Sequence, residues 1–498
     1  MKLVFFKTFL QSIYQRKLWI WLLILGVGAL LRFYNLETGM HYLGDEGRDA
    51  IIIYDIVTAK NFPLIGPPMS VGNVYLGPLY FYLVAPFLAL FRFNPIGPAV
   101  FTALLSLATS VLLYLFVNQV FKNRLAGWLA AWFYAISPIA VRFGRWGWNP
   151  HIMPFFVMLF IFSLWKILEE KRSKWWMVTG LSLGFILQSH YLGLAAIPIL
   201  LLAFLIKRPQ FRNLKYPILG TGLFILLMSP LLVFDIVHDW LNIRGFWEIL
   251  TQQSENGFSL LGWLSRSRDR LRQVFGDFTD FGERSIANNL MLATIFITWI
   301  INETEKKRWW LVGVWLGVGS LFLGIYRGSV FSHYLEFLLP ACSLVLGVLL
   351  AQVYAKKKRR ILAVIVFLGL SIFLIQRSTQ LALAKPLPNI RAVKELVTFI
   401  KEQSQGEPFN FALLAENNYD GAYQYFFNLW NISAKYNEAT GQLFVICEGE
   451  KRCQPQGNAK WEIAVFEVAY DGQVEIEKEW QFYDFFRVFL FKPKSNNE

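Results

Sequence analysis

Apolar residues in this chain come in long runs separated by short polar loops. The runs fall at roughly 18–34, 98–120, 125–141, 151–168, 175–189, 191–206, 216–235, 286–302, 309–326, 332–353 and 361–377. A helix of about 20 apolar residues crosses the hydrocarbon core of a bilayer. The pattern therefore predicts a polytopic α-helical membrane protein with about eleven transmembrane helices. Leu76–Phe91 is apolar as well. Counting it as a crossing would put every later basic loop on the wrong side, so it is expected to lie along the outer face as an amphipathic or half-inserted segment. The stretch 236–285 mixes apolar residues with Asp239, Arg244, Glu248, Arg266, Arg268, Asp269, Arg270 and Arg272. It is expected to form interfacial helices, with the arginines at the headgroups.

After about Leu381 the pattern changes. Ile390–Gln403 has the spacing of an amphipathic helix. Asn410–Leu414, Gln442–Cys447, Glu462–Tyr470, Val474–Ile476 and Phe486–Phe491 read as short strands, with turns such as Asp471-Gly472 between them. The expected organisation is a transmembrane domain over 1–377, with outer segments 35–97 and 236–285, followed by a small α/β domain over 378–498.

Composition agrees with a membrane protein: 55% of the 498 residues are hydrophobic, more than a soluble domain usually carries. Trp residues such as Trp19, Trp21, Trp175, Trp176, Trp309 and Trp310 stand at the ends of apolar runs, where the membrane interface favours them. The formal net charge of +14 comes largely from short loops between runs. It is explained by retention of Lys and Arg on the cytoplasmic side, and no nucleic-acid partner is implied. Lys2, Lys7, Arg16 and Lys17 place the N-terminus inside. The loops at Lys122/Arg124, Lys171/Arg172/Lys174, Lys207/Arg208/Arg212/Lys215, Lys306/Lys307/Arg308 and Lys356–Arg360 then follow on the same side. The C-terminal domain is thereby expected to be extracytoplasmic, on a multi-pass protein of the cell inner (plasma) membrane. No Ala-x-Ala site follows the first run, so that run is expected to be retained as a span. Cys342 lies inside a run. Cys447 and Cys453 flank a charged loop of the outer domain, where an oxidising compartment would allow a disulfide or two free thiols.

The densest polar stretch beside the membrane is His41-Tyr42-Leu43-Gly44-Asp45-Glu46-Gly47-Arg48-Asp49-Ala50, directly after the first run. Charged groups next to hydrocarbon are expected to be paired or to face a polar cavity. Asp45 and Glu46 are adjacent and cannot point the same way on regular backbone. Asp49 shares a face with Asp45 if the segment is helical. A solvated loop leading into a helix over Gly47–Thr58 is the plainer alternative.

Asp45-Glu46, the turn Gly77-Pro78-Leu79-Tyr80 and Ser137-Pro138 followed by Arg142 and Arg145 together resemble the GT-C glycosyltransferases of family 39. That group includes protein O-mannosyltransferases and the bacterial transferases that put aminoarabinose on lipid A. The resemblance covers roughly residues 18–235. It departs where relatives carry a Lys before the turn, because Tyr75 and Leu76 stand here. No carboxylate follows soon after Arg145 either.

The resemblance implies a GT-C fold and the transfer of a sugar from a polyprenyl-phosphate donor to a hydroxyl of an acceptor lipid, glycan or protein. No cofactor is implied beyond the lipid-linked donor, and divalent-metal dependence is left open. A sugar phosphate already carries a good leaving group. The chemistry then needs a base at the acceptor hydroxyl and cations at the departing phosphate, with inversion when base and leaving group lie on opposite faces. Asp45 is the candidate base. Glu46 would orient it, bind a sugar hydroxyl, or pair with Arg48 or Arg145. Arg142, Arg145, Arg327 and His333 are candidates for the phosphate. Arg48, Trp148, Asn149, His190 and Tyr191 are candidates for substrate contacts, with a packed histidine and a closed loop as the plain readings of His190 and Asn149. A transporter or flippase of lipid-linked sugars is the main competing reading, and a scaffold displaying the C-terminal domain is a third. A transporter should show internal repeats and midplane charge. No repeat is evident, and the charges gather at one face.

Overall fold

The computed structural model describes residues 18–69, 74–209, 213–252, 259–301, 306–436, 438–449 and 453–494. The basic residues Lys2, Lys7, Arg16, Lys17 and Arg212 lie outside these. The chain forms two compact units: residues up to Leu36 with Ala59–Ala384, and Glu37–Thr58 with the chain from Lys385 onward. The boundary near 384 lies close to the expected 377. The segment 37–58 was expected within the transmembrane domain, and its contacts are with the C-terminal residues instead.

The first unit is helical. Among its described residues four helices are long and apolar enough to cross a membrane: Ile96–Phe121, Asn149–Leu168, Lys215–Val237 and Lys357–Leu383. Arg124–Ile136 and Pro138–Gly144 make a fifth if this pair, bent by 61°, is one span. Leu18–Phe33, Tyr191–Lys207 and Leu339–Ala355 are apolar but shorter. The expected count of eleven is not confirmed among the described residues. Helices Leu241–Gln252 and Leu260–Thr279 occupy the outer stretch 236–285, and a helix at Leu79–Leu90 follows the Gly77-Pro78 turn.

The bend at Ser137-Pro138 has a visible cause and a visible remedy. Pro138 has no N–H to offer the Tyr134 carbonyl. Arg32, fully buried, supplies the missing donors. Its guanidinium donates to Tyr134 O at 3.3 Å, Ala135 O at 2.7 Å and Ser106 Oγ at 2.9 Å. The Ser378 hydroxyl donates to Ile136 O. Small residues let the central helices close up: Gly347 meets Ala130, whose carbonyl accepts from Ser343 Oγ at 2.6 Å.

The second unit is a five-stranded mixed sheet with helices. The strands are β1 (Phe409–Leu414), β2 (Ala434–Lys435), β3 (Leu443–Glu448), β4 (Val474–Phe482) and β5 (Phe486–Pro493), in the order β2-β1-β3-β5-β4. β1 pairs in parallel with β2 and β3, and β5 runs antiparallel to β3 and β4. β3 is buried throughout, as its continuous apolar sequence requires of a central strand. The expected helix at Ile390–Gln403 is present. The expected strand at Glu462–Tyr470 is instead a helix, Trp461–Ala469. Its buried residues are Ile463 and Phe466, three apart, while Val468 is exposed. That is a helical period which short-range alternation concealed. Cys447 and Cys453 are joined by a disulfide, and Cys342 is free and buried.

The segment 37–58 is built into this unit. His41 forms a bridge with Asn389, and Tyr42 N–H donates to Pro388 O at 3.1 Å. Lys394 Nζ pairs with Glu37 at 2.6 Å. Its helix, Gly44–Val57, packs on the helix Gly421–Leu429. Glycines allow the approach, because a Cβ on Gly47 would overlap the backbone of Gly421 and Ala422. Gly47→Ala should therefore destabilise this unit by on the order of 2 kcal/mol, as overpacking does. Thermal melting of the purified variant in detergent measures it, and an unchanged midpoint contradicts the close crossing.

Candidate functional site

The helix Gly44–Val57 begins three residues earlier than the plain loop reading expects, and this places Asp45 and Glu46 in its first turn. Unsatisfied backbone N–H groups and the helix dipole favour carboxylates there. Glu46 is buried, and its Oε2 accepts from the Leu43 N–H at 2.8 Å. That contact closes the helix start. Arg48 pairs with Asp45 Oδ1 at 2.8 Å and with Asp49 Oδ1 at 2.7 Å. Asp45 and Asp49 thus lie on one face, as their spacing of four requires of a helix.

The environments of these two carboxylates differ. The Asp45 side chain is 43% exposed, whereas that of Asp49 is 3% exposed. Asp45 Oδ1 also accepts from the Tyr419 hydroxyl at 2.9 Å. Asp45 Oδ2 has no hydrogen-bond partner among the described residues. Asp49 Oδ2 is buried without a partner. Burial pushes the Asp49 carboxyl up to about 6, against the opposing pull of Arg48. Burial likewise raises the Tyr419 phenol, with Arg48 opposing, so that it remains a donor.

A second layer fixes this turn. Gly44 N–H donates to Asn418 Oδ1 at 2.8 Å, and Asn418 Nδ2 donates to Glu448 Oε2 at 2.7 Å. Tyr423 donates to Glu448 Oε1 at 2.7 Å. Glu448 ends β3 and is buried, which raises its pKa despite these two donors. Sequence reasoning missed Tyr419, Asn418 and Glu448. A carboxylate closing a fully apolar strand was the available signal.

In the first unit the structure gathers His190, Tyr191, His333 and Tyr334. His190 stacks on Tyr191 with centroids 4.3 Å apart, and lies 5.9 Å from His333 and 4.8 Å from Tyr334. Trp148 meets His333 edge-on at 4.9 Å. His190 Nδ1 accepts from the Leu192 N–H, which leaves the proton on Nε2 as a donor. Beneath Trp148 lies a dyad that the sequence did not reveal: His151 Nδ1 and Glu336 Oε1, 2.6 Å apart, with both side chains fully buried. A single carboxylate at the head of an apolar run was the signal for Glu336.

Other candidates take structural positions. Arg145 is buried, and its guanidinium donates to the carbonyls of Leu31 at 2.8 Å, Arg32 at 3.4 Å and Ala382 at 3.5 Å. It braces helix ends, while its Nε is buried without a hydrogen-bond partner. Asn149 is buried and donates to Ser189 O at 2.6 Å, closing its loop. Arg142 is exposed and within electrostatic reach of Asp277. Arg327 is half-buried. Among the described residues no group of three His, Cys, Asp or Glu side chains is placed to hold a metal ion.

Residues 76–234 match the family model described as dolichyl-phosphate-mannose-protein mannosyltransferase. No curated protein matches the chain in sequence. Solved structures are similar across nearly the whole chain. ArnT from Cupriavidus metallidurans, bound to undecaprenyl phosphate, is 12% identical with a TM-score of 0.61, over 97% of this chain and 99% of that one. The archaeal oligosaccharyltransferase AglB from Archaeoglobus fulgidus, in complex with an inhibitory peptide and a dolichol-phosphate, is 12% identical with a TM-score of 0.56, over 92% of this chain and 72% of that one. The apo form of the Archaeoglobus fulgidus oligosaccharyltransferase has a TM-score of 0.57 at 12% identity, over 91% and 72%. The chain shares the fold of these solved structures and carries helices long and apolar enough to cross a membrane.

Proposed function

We propose that the protein transfers a sugar from a polyprenyl-phosphate donor to a hydroxyl of a lipid, glycan or protein acceptor at the outer face of the plasma membrane, with inversion. The observation that carries this reading is Asp45. One of its oxygens is held by Arg48 and Tyr419 while the other is open on a 43% exposed side chain. A carboxylate so held is oriented and can still accept a proton. The similarity to structures bound to undecaprenyl phosphate and dolichol-phosphate supports the donor class.

The reaction forms a bond from the acceptor oxygen to the anomeric carbon and breaks the bond from that carbon to the phosphate oxygen. The proton passes to Asp45, and the phosphate leaves with the electron pair. Cations and neutral donors stabilise the growing negative charge. His333, the Nε2–H of His190, Arg327 and Arg142 are assigned to that task. Arg48, Tyr191 and Trp148 are assigned to the substrates, by hydrogen bonding and by stacking. The C-terminal α/β domain is assigned to the extracytoplasmic side.

The test is purified protein in liposomes with polyprenyl-phosphate sugars, and mass spectrometry of both products. Free polyprenyl phosphate together with a glycosylated acceptor supports transfer. Lipid-linked sugar that crosses the bilayer intact supports a flippase instead. His333→Ala should weaken donor binding about tenfold, the scale of one strong hydrogen bond to a charged group. Titration of the variant with labelled donor measures this, and an unchanged affinity removes His333 from the phosphate site.

A further inference from the structure

The C-terminal residues of the second unit contribute a side chain to the candidate site, although they lie far from it in sequence. Tyr419 comes from the turn before the helix Gly421–Leu429, and its ring lies against Gly44, where an added Cβ would approach ring atoms at 2.7 Å. Its hydroxyl reaches Asp45 Oδ1 at 2.9 Å. The same oxygen already takes Arg48 at 2.8 Å. The turn is itself held from β3 through Asn418 and Glu448.

We propose that Tyr419 is a positioning residue of the transfer site: its hydroxyl and the Arg48 guanidinium occupy Asp45 Oδ1 together, so that Oδ2 takes the acceptor proton. This rests on the assignment of Asp45 as the base. Two donors on one oxygen fix the torsion of the carboxylate, which would otherwise rotate freely on an exposed side chain. They also leave Oδ2 as the oxygen open to the incoming hydroxyl. The C-terminal domain thereby sets the geometry of proton transfer, and its sheet anchors that geometry from the rear through Glu448.

The experiment compares wild type, Tyr419→Phe, Asp45→Asn and the double variant in detergent. It reads single-turnover rate, donor affinity and melting temperature. Tyr419→Phe keeps the ring against Gly44 and removes only the hydroxyl. The expected result is a fall in kcat of about tenfold, with donor affinity and melting unchanged. In the Asp45→Asn background the same change should add almost nothing. A Tyr419→Phe protein with the wild-type rate overturns the proposal, as does a tenfold loss that persists without the Asp45 carboxylate. An Asp45→Asn protein with the wild-type rate overturns the base assignment itself, a different outcome from failure of Tyr419→Phe alone.

Discussion

Asp45→Asn should lower sugar transfer by about 10²–10⁴-fold, the usual loss when a general base is removed. Asn is nearly the same size and its carbonyl can still accept from Arg48 and Tyr419. Folding should therefore survive, and expression with an unchanged melting temperature is the control. What disappears is proton acceptance at the open oxygen. Donor affinity should change little, because the proposed partner of Asp45 is the acceptor hydroxyl and the phosphate is assigned to other residues. The decisive measurement is rate and donor affinity side by side on one preparation. A variant that transfers at near wild-type rate returns the segment 41–50 to a structural helix start. A variant that folds but no longer binds donor makes Asp45 a donor ligand and moves the search for the base to Asp49.

Long-range partners mark the limit of what the sequence revealed here. Runs of apolar residues located most of the helices, because hydrocarbon tolerates only backbone that satisfies its own hydrogen bonds. The positions of Asp45, Glu46, Arg48 and Asp49 were legible from charge beside an apolar run, and their helical spacing was foreseen as a condition. Their partners were not legible. Tyr419 lies 374 residues from Asp45, and Glu336 lies 185 from His151. No local pattern ties such pairs. Arg145 likewise has partners that the sequence did not announce. In sequence it stands in a Trp-rich loop suited to an anion, but the helix ends around it leave carbonyls that need its donors. Arg32 lay unnoticed inside the first run, although a full charge within an apolar helix is costly and calls for buried acceptors. Those acceptors are the carbonyls that the bend at Pro138 leaves open.

Asp49→Asn should change the pH dependence of stability by about 3 kcal/mol between pH 4 and pH 7. The Asp49 carboxyl is pushed from 3.8 to about 6 in the folded protein, mainly by burial. Below pH 3.8 both folded and unfolded chains hold the proton and the group is neutral in its effect. Between 3.8 and 6 the unfolded chain releases a proton that the folded chain keeps, so the folded state loses stability as pH rises. Above 6 both have released it, and the full penalty stands. Two units at about 1.4 kcal/mol each set the size. Asn cannot ionise, so the variant escapes this penalty while keeping the shape of the protonated acid. Its melting temperature relative to wild type should climb from pH 4 to pH 7 and then level off. Parallel curves would show that the ion pair with Arg48 outweighs burial, that Asp49 is ionised throughout, and that its unpartnered oxygen is stabilised in some other way. The activity of the same variant separates the two carboxylates. Asp49 lies buried behind Arg48, so Asp49→Asn should leave transfer far less impaired than Asp45→Asn does, since only Asp45 presents an open oxygen to solvent.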